Sequence, residues 1–393
     1  MKRLLCWLAA LTVILAVWSG NARAEEDKPV ENFLSWQETI DKLDLQEMEQ
    51  FKTSIDGEIS GYLEHRSARE WINDFMTGQW DFNPKKIVGD LWKYFFREVL
   101  ANGQLLGKIL ILTVISALLV NLQSSFDQGV AKISSMACFL AISAIALGSF
   151  KYVIRIGQVA IESMSDLMTA VLPQMMVLVT GLGHIHTAGA IFPLMMAACT
   201  AFARGIGLIV FPLIALSAIL NLAEQLTDTI KLERLGKLLY TLAEAIMGLM
   251  LTFFVGILTL RSIYGSVMDA ITLRTGKFVT DTFFPIIGGY LADALETAAG
   301  YVVLLKQAVG IMGLLTIFGI FIFPVIKIGV IALIYKVSSA VVEPLGDSRI
   351  SQVLEVMGNH LLLVLAAVAA VGLMFFVLVA ILVSTGNSVI LLR

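Results

Sequence analysis

The sequence predicts an all-α polytopic membrane protein with an internal repeat, broken or kinked long helices and an N-terminal exported helical segment. Three observations lead there. Apolar residues make up 58% of the 393-residue chain and charged ones only 15%, a balance that a water-soluble fold of this length does not sustain. Apolar runs of membrane-crossing length recur from about residue 105 to the C-terminus. Residues Asp166 to Leu222 also align without gaps on Phe278 to Ile334, at an offset of 112, pairing Pro173 with Pro285, Gly207 with Gly319, and Phe211-Pro212 with Phe323-Pro324. The chain has eight prolines, so prolines in register carry weight that matches among Leu, Ile and Val do not.

At the N-terminus, Lys2 and Arg3 precede an apolar run from Leu4 to Trp18 and then Ala22-Arg23-Ala24, the layout of a signal peptide over 1–24. An uncleaved anchor is the alternative. The segment 25–102 is expected to be exported. It carries 17 of the 31 acidic residues against 9 basic ones, and no cysteine, so it holds no disulfide of its own. Within it Phe33, Trp36, Ile40, Leu43, Met48, Phe51, Ile55, Ile59 and Tyr62 recur at helical spacing. A short helix follows around Trp71 and Phe75. Asn83-Pro84 reads as a helix start leading into Ile87, Leu91, Trp92, Tyr94, Phe95 and Phe96. That aromatic cluster fits a helix lying at the membrane interface, or a small bundle packing on itself.

Eight apolar segments come next, near 105–122, 134–154, 166–183, 189–222, 238–260, 278–296, 301–335 and 357–383. The first two form a pair over 103–165; repeat 1 covers 166–277 and repeat 2 covers 278–393. The run from Gly189 to Leu222 would measure about 51 Å as one straight helix, longer than a bilayer core of about 30 Å yet short for a hairpin of two full spans. A helix broken near Arg204-Gly205-Ile206-Gly207 and again at Pro212 reconciles the length. Gly319 and Pro324 mark the same points in the second copy, with Pro173 and Pro285 as further candidate breaks. Proline withholds a backbone donor, and lipid offers no substitute, so paired breaks point to a protein-lined or wet site. Ordinary proline kinks are the plainer reading.

A polar connector follows each long segment, Ala223 to Lys237 and Lys336 to Gln352. Three crossing segments per copy would give inverted repeats, and an even number would give parallel ones. Basic residues divide evenly between the two sides, so charge placement leaves orientation to the signal peptide.

Ionisable residues inside spans cost about 2.5 to 3.5 kcal/mol at the centre, so each needs a partner or a purpose. Lys327, three residues after Pro324 in FIFPVIKIGVIALIY, stands out, with Arg204, Glu244 and the cluster Asp293, Glu296 and Lys306 as further path or ion-pair candidates. Lys108, Lys151 and Glu355 fit snorkelling at helix ends. The histidines and cysteines show no ligand spacing, and H-E-x-x-H, G-x-S-x-G and the nucleotide-binding loop are missing. No catalytic residue, cofactor or metal is expected.

The stretches VLPQMMVLVTGLG, LIVFPLIALSAILNL and LERLGKLLYTLAEAIMGLMLTFFVGILTLRSIYGSVMDAITLRTGKFVTDTFFPIIGGYL, with the layout of signal, acidic exported segment and polytopic domain, resemble the stage III sporulation protein AE family of endospore-forming bacteria. The resemblance implies a mother-cell protein of the outer forespore membrane, with residues 25–102 in the intermembrane space. It also implies membership of a sporulation channel with the other stage III A proteins, an ATPase among them, and with a forespore membrane partner. Nucleic acid is not expected as a partner. The reading is therefore a non-enzymatic membrane subunit of a secretion or transport channel, with a permease-like core or gate. A structural scaffold that conducts nothing and an autonomous secondary transporter are the alternatives.

Overall fold

The computed structural model describes residues 49–50, 67–77, 79, 84–122, 128–182, 184–226, 231–283, 288–345 and 348–385. Within them the chain is helical and no strand forms. A short helix α1, Ala68–Met76, opens on a capping box: the Ser67 hydroxyl accepts from the Glu70 amide while the Glu70 carboxylate accepts from the Ser67 amide. Helix α2, Pro84–Ala101, starts on proline, where the missing N–H costs nothing, and ends at Asn102. The remaining helices are α3, Gly103–Leu122; α4, Gln128–Gly181; α5, Phe192–Gly205; α6, Phe211–Leu226; α7, Glu233–Phe283; α8, Gly288–Val342; and α9, Ser348–Ser384.

Six stretches among the described residues are long and apolar enough to cross a membrane: Lys85–Leu118, Met136–Gly181, Thr187–Gln225, Glu233–Arg261, Val302–Val342 and Arg349–Ser384. This is fewer than the eight segments read from hydropathy. Lys151, Arg155, Glu162 and Asp166 divide 134–154 from 166–183 in the sequence, but all four are exposed on one unbroken helix α4, where their charged ends need no loop. The segment 278–296 includes residues 284–287, which lie outside the described residues, as do the expected signal peptide over 1–24 and most of the segment 25–102 expected to be exported.

The core is the antiparallel pair α8 and α9, the most extensive helix contact in the protein, with α4 packed along both. Close approach explains its glycines. A Cβ on Gly372 would sit 2.5 Å from Cγ of Phe321, and one on Gly310 would press on a Val383 methyl, so each glycine makes room for a side chain of the neighbouring helix. Helices α6 and α7 form a second hairpin that packs on α9 through α6, while α1, α2 and α3 pack on α8.

The long segment of the first copy is interrupted by two π turns, Thr187–Ile191 and Ile206–Val210. Each stands directly before a Phe-Pro pair, Phe192-Pro193 and Phe211-Pro212. The Phe192 amide donates to the Thr187 carbonyl and the Phe211 amide to the Ile206 carbonyl, five residues back in each case. The cause is the proline ring, which crowds the carbonyl one turn earlier and carries no N–H to bond it. Gly207 lies inside the second turn and Pro212 follows it.

The second copy differs from the expectation of matched interruptions: Gly319 and Pro324 lie inside α8, which is α-helical throughout, and Pro173 likewise lies inside α4. Packing accounts for the difference in α8. One inserted residue would rotate everything beyond it by about 100°, withdrawing Ile328, Ala332 and Tyr335 from the interior where they are fully buried. Pro285 lies outside the described residues.

The two connectors lie at one end of the bundle. Gly236, in the first turn of α7, and His360, twelve residues into α9, both bond Ser217 of α6, so the α6–α7 and α8–α9 turns are within a few helical turns of each other. Arg261 of α7, Lys306 of α8 and Thr385 after α9 meet at the opposite end. The two hairpins therefore stand side by side the same way up.

Candidate functional site

An ionised or polar group inside an apolar bundle persists where the fold supplies an opposite charge or hydrogen-bond partners, and the described residues show three such places. The first surrounds Lys327. Its Nζ lies 3.9 Å from Oε1 of Glu98, near the end of α2, with the two side chains 24% and 10% exposed. The other carboxylate oxygen accepts from the Asn102 side-chain amide at 3.3 Å, which also caps the Glu98 carbonyl at 2.9 Å. Directly alongside, the Tyr94 ring meets that of Phe323 with centroids 5.0 Å apart, and the Arg97 guanidinium stands 5.0 Å over Tyr94. Phe323 precedes Pro324, so α2 is tied to α8 at the point where the proline removes a backbone bond. This places a charge pair, an aromatic pair and a helix weak point within one turn of α8.

The second place lies near the connector end. The Ser217 hydroxyl donates to the Gly236 carbonyl at 2.7 Å and lies 2.8 Å from Nε2 of His360, whose Nδ1 is 2.7 Å from the Val356 carbonyl. The Tyr240 ring stands edge-on to the imidazole at 5.1 Å. Closer to the turn between α8 and α9, the Ser339 hydroxyl donates to the Ser351 carbonyl at 2.9 Å and the Ser351 hydroxyl to the Ser339 carbonyl at 3.2 Å, while Lys336 lies 3.8 Å from Glu355. Reciprocal bonds of this kind fix the register of the hairpin.

The third place is the far end of α9, where Lys306, fully buried, donates to the Thr385 carbonyl and Arg261 donates to the Thr385 hydroxyl. Arg261 also stands 5.9 Å over Phe192, the residue that closes the first π turn. A helix C-terminus presents unbonded carbonyls and partial negative charge, so two cations converging there stabilise it.

The residues singled out by sequence do not form one cluster. Lys327 and Lys306 occupy two different nodes. Arg204 is exposed in the last turn of α5, just before the second π turn, and Glu244 is exposed on α7, one turn beyond Tyr240. Asp293 and Glu296 lie in the first turns of α8, with their side chains outside the described ones. Sequence reasoning passed over Glu98, Ser217, Tyr240, Arg261 and His360. Glu98 sat in a segment assigned to the interface, and His360 was weighed only as a metal ligand. An i,i+4 scan joining Tyr94, Glu98 and Asn102 would have marked a polar edge on α2.

The family described as Stage III sporulation protein AE matches this chain over residues 66–386. The chain is also similar to "Stage III sporulation protein AE" of Bacillus subtilis (strain 168), 32% identical over 395 residues that cover 98% of this chain and 99% of the relative. No solved structure matches it.

Proposed function

On the premise that the chain belongs to the stage III sporulation protein AE family, we propose that it is a non-enzymatic membrane subunit of a multiprotein secretion or transport channel between mother cell and forespore. Its α8–α9 core, with α4, forms the permease-like part or gate. It sits in the outer forespore membrane, with the part of 25–102 that precedes α2 in the intermembrane space, since α2 itself opens the first crossing stretch, Lys85–Leu118. There it assembles with the other stage III A proteins, an ATPase included, and meets a forespore membrane partner. The observation that carries the gate reading is the Lys327–Glu98 pair beside Pro324. A buried ion pair is a poor way to gain stability, because desolvation offsets most of the attraction, and its best-attested use is to set register or to switch. Here it holds α2, the last helix within 25–102, against the proline of the core, so movement of α2 is felt at the weak point of α8.

The scaffold reading draws on a separate observation: Arg204 and Glu244 are exposed on α5 and α7, whereas Lys327 pairs with Glu98 of α2. Lys327→Leu separates the two. The gate reading predicts a complex that still assembles, by co-purification of its partners, while sporulation fails. Normal sporulation, or failure only together with assembly, favours the scaffold.

A further inference from the structure

We infer that His360 and Ser217 form a proton-binding site joining α6, α7 and α9, whose three short contacts are all met at once only when the ring is doubly protonated. The argument is a count of donors. A carbonyl only accepts, so the 2.7 Å contact between Nδ1 and the Val356 carbonyl requires a proton on Nδ1. The Ser217 hydroxyl has one proton, and the 2.7 Å contact with the Gly236 carbonyl uses it. The remaining contact, Nε2 to Ser217 Oγ at 2.8 Å, then requires Nε2 to donate. All three are satisfied together only when both ring nitrogens carry protons.

Losing one proton changes the connections. With Nδ1 bonded to Val356, the bare Nε2 becomes an acceptor and competes with the Gly236 carbonyl for the one serine proton. Ser217 can then hold α9 or the start of α7, not both. The site is thus a two-state junction whose state is set by a proton, at the end of the bundle where both connectors lie. Ser217 is fully buried and His360 nearly so, so a polar group left without its bond there is costly.

The groups facing the ring are few. From α7 comes Tyr240, with Glu244 one turn further and exposed. From α6 come Ser217 and, one turn on, Asn221, whose amide donates to the Ser217 carbonyl at 3.0 Å. From α8, the Lys336 stem packs against Gly358 and its ammonium pairs with Glu355 of α9 itself. Helix α4 meets α9 further along, at Gly157 and Val368, where its charged neighbours Arg155 and Glu162 are exposed; α5 brings the exposed Arg204 and the buried Cys199. The inference stands whether or not the chain conducts.

The test is ring-nitrogen NMR on the full-length chain in nanodiscs, labelled with 15N-histidine. The chain has four histidines, and His360→Gln assigns the signal. Between about pH 5 and about pH 9 the His360 ring should pass from two protonated nitrogens to one on Nδ1. Ser217→Ala should move the Nε2 signal at the acid end of the range, because Oγ no longer accepts from Nε2, and Ser217→Thr, which keeps the hydroxyl, should restore it. A ring that keeps one form across the range overturns the inference, as does an Nε2 signal that Ser217→Ala leaves unchanged. If Ser217→Ala yields no folded protein, the wild-type titration decides alone.

Discussion

Removing both members of the Glu98–Lys327 pair should cost less than the sum of removing each alone, and the difference can be worked out from the geometry. At 3.9 Å the Coulomb attraction is about 4 kcal/mol for an effective dielectric constant of about 20. Desolvating two charges and ordering two long side chains offsets much of it, and the Lys327 side chain keeps 24% of its exposure. A coupling of about 1 to 2 kcal/mol is what survives. Glu98→Gln leaves an ammonium without its carboxylate and Lys327→Met leaves a carboxylate bonded only to Asn102, so each single change should destabilise by about 2 kcal/mol. The double change should cost less than the sum by the coupling energy. The assay is equilibrium unfolding of the purified full chain in mixed micelles, titrated with a denaturing detergent and read as a double-mutant cycle. Additivity of the two changes within about 0.5 kcal/mol would refute the reasoning, because the contact would then carry no energy.

The Gly372 site offers a steric test: Gly372→Ala should destabilise by about 1 to 3 kcal/mol because its Cβ would meet the Phe321 ring at 2.5 Å, and Phe321→Ala in the same chain should recover part of the loss in the same unfolding assay. Pro212→Ala removes the ring that forces the second π turn. If the segment relaxes to α geometry, α6 turns by about 100° relative to α5, and the Ser217–His360 contact at 2.8 Å should be lost, read as a changed His360 ring-nitrogen signal. Ser339→Ala with Ser351→Ala should cost about 1 kcal/mol per lost bond at the α8–α9 turn, seen as faster hydrogen exchange of residues 336–342 and 350–355.

Hydropathy and length were enough to find the helices, because a chain this apolar has few other ways to satisfy its backbone in lipid. Where helices join or divide was less legible. Lys151 to Asp166 read as a polar gap but form the exposed side of one helix, since a rod of α-helix does not register polarity that its outer face can hold. The Phe-Pro signal marked Pro212 and Pro324 alike, and only tertiary packing distinguishes them: α8 stays in unbroken α geometry between α4 and α9, whereas the π turn before Pro212 goes with a buried set of its own, Ile206, Val210 and Ile214. Lys327 was visible as a charge among apolar residues. Its partner was not, because a contact between residues 98 and 327 leaves no periodic trace. His360 and Ser217 were hidden for the same reason, being 143 positions apart.

The parallel arrangement of the two hairpins is the feature on which the gate and the proton site both depend, and thiol mapping tests it most directly. Single cysteines would be placed at Thr229 and Ser348 in a variant lacking Cys6, Cys138 and Cys199, and labelled with a membrane-impermeant reagent before and after permeabilisation. The account predicts that both connectors behave alike, protected in intact cells when the mature N-terminus is outside and labelled once the membrane is opened. Labelling of one connector but not the other in intact cells would place them on opposite sides of the membrane and contradict the fold described above.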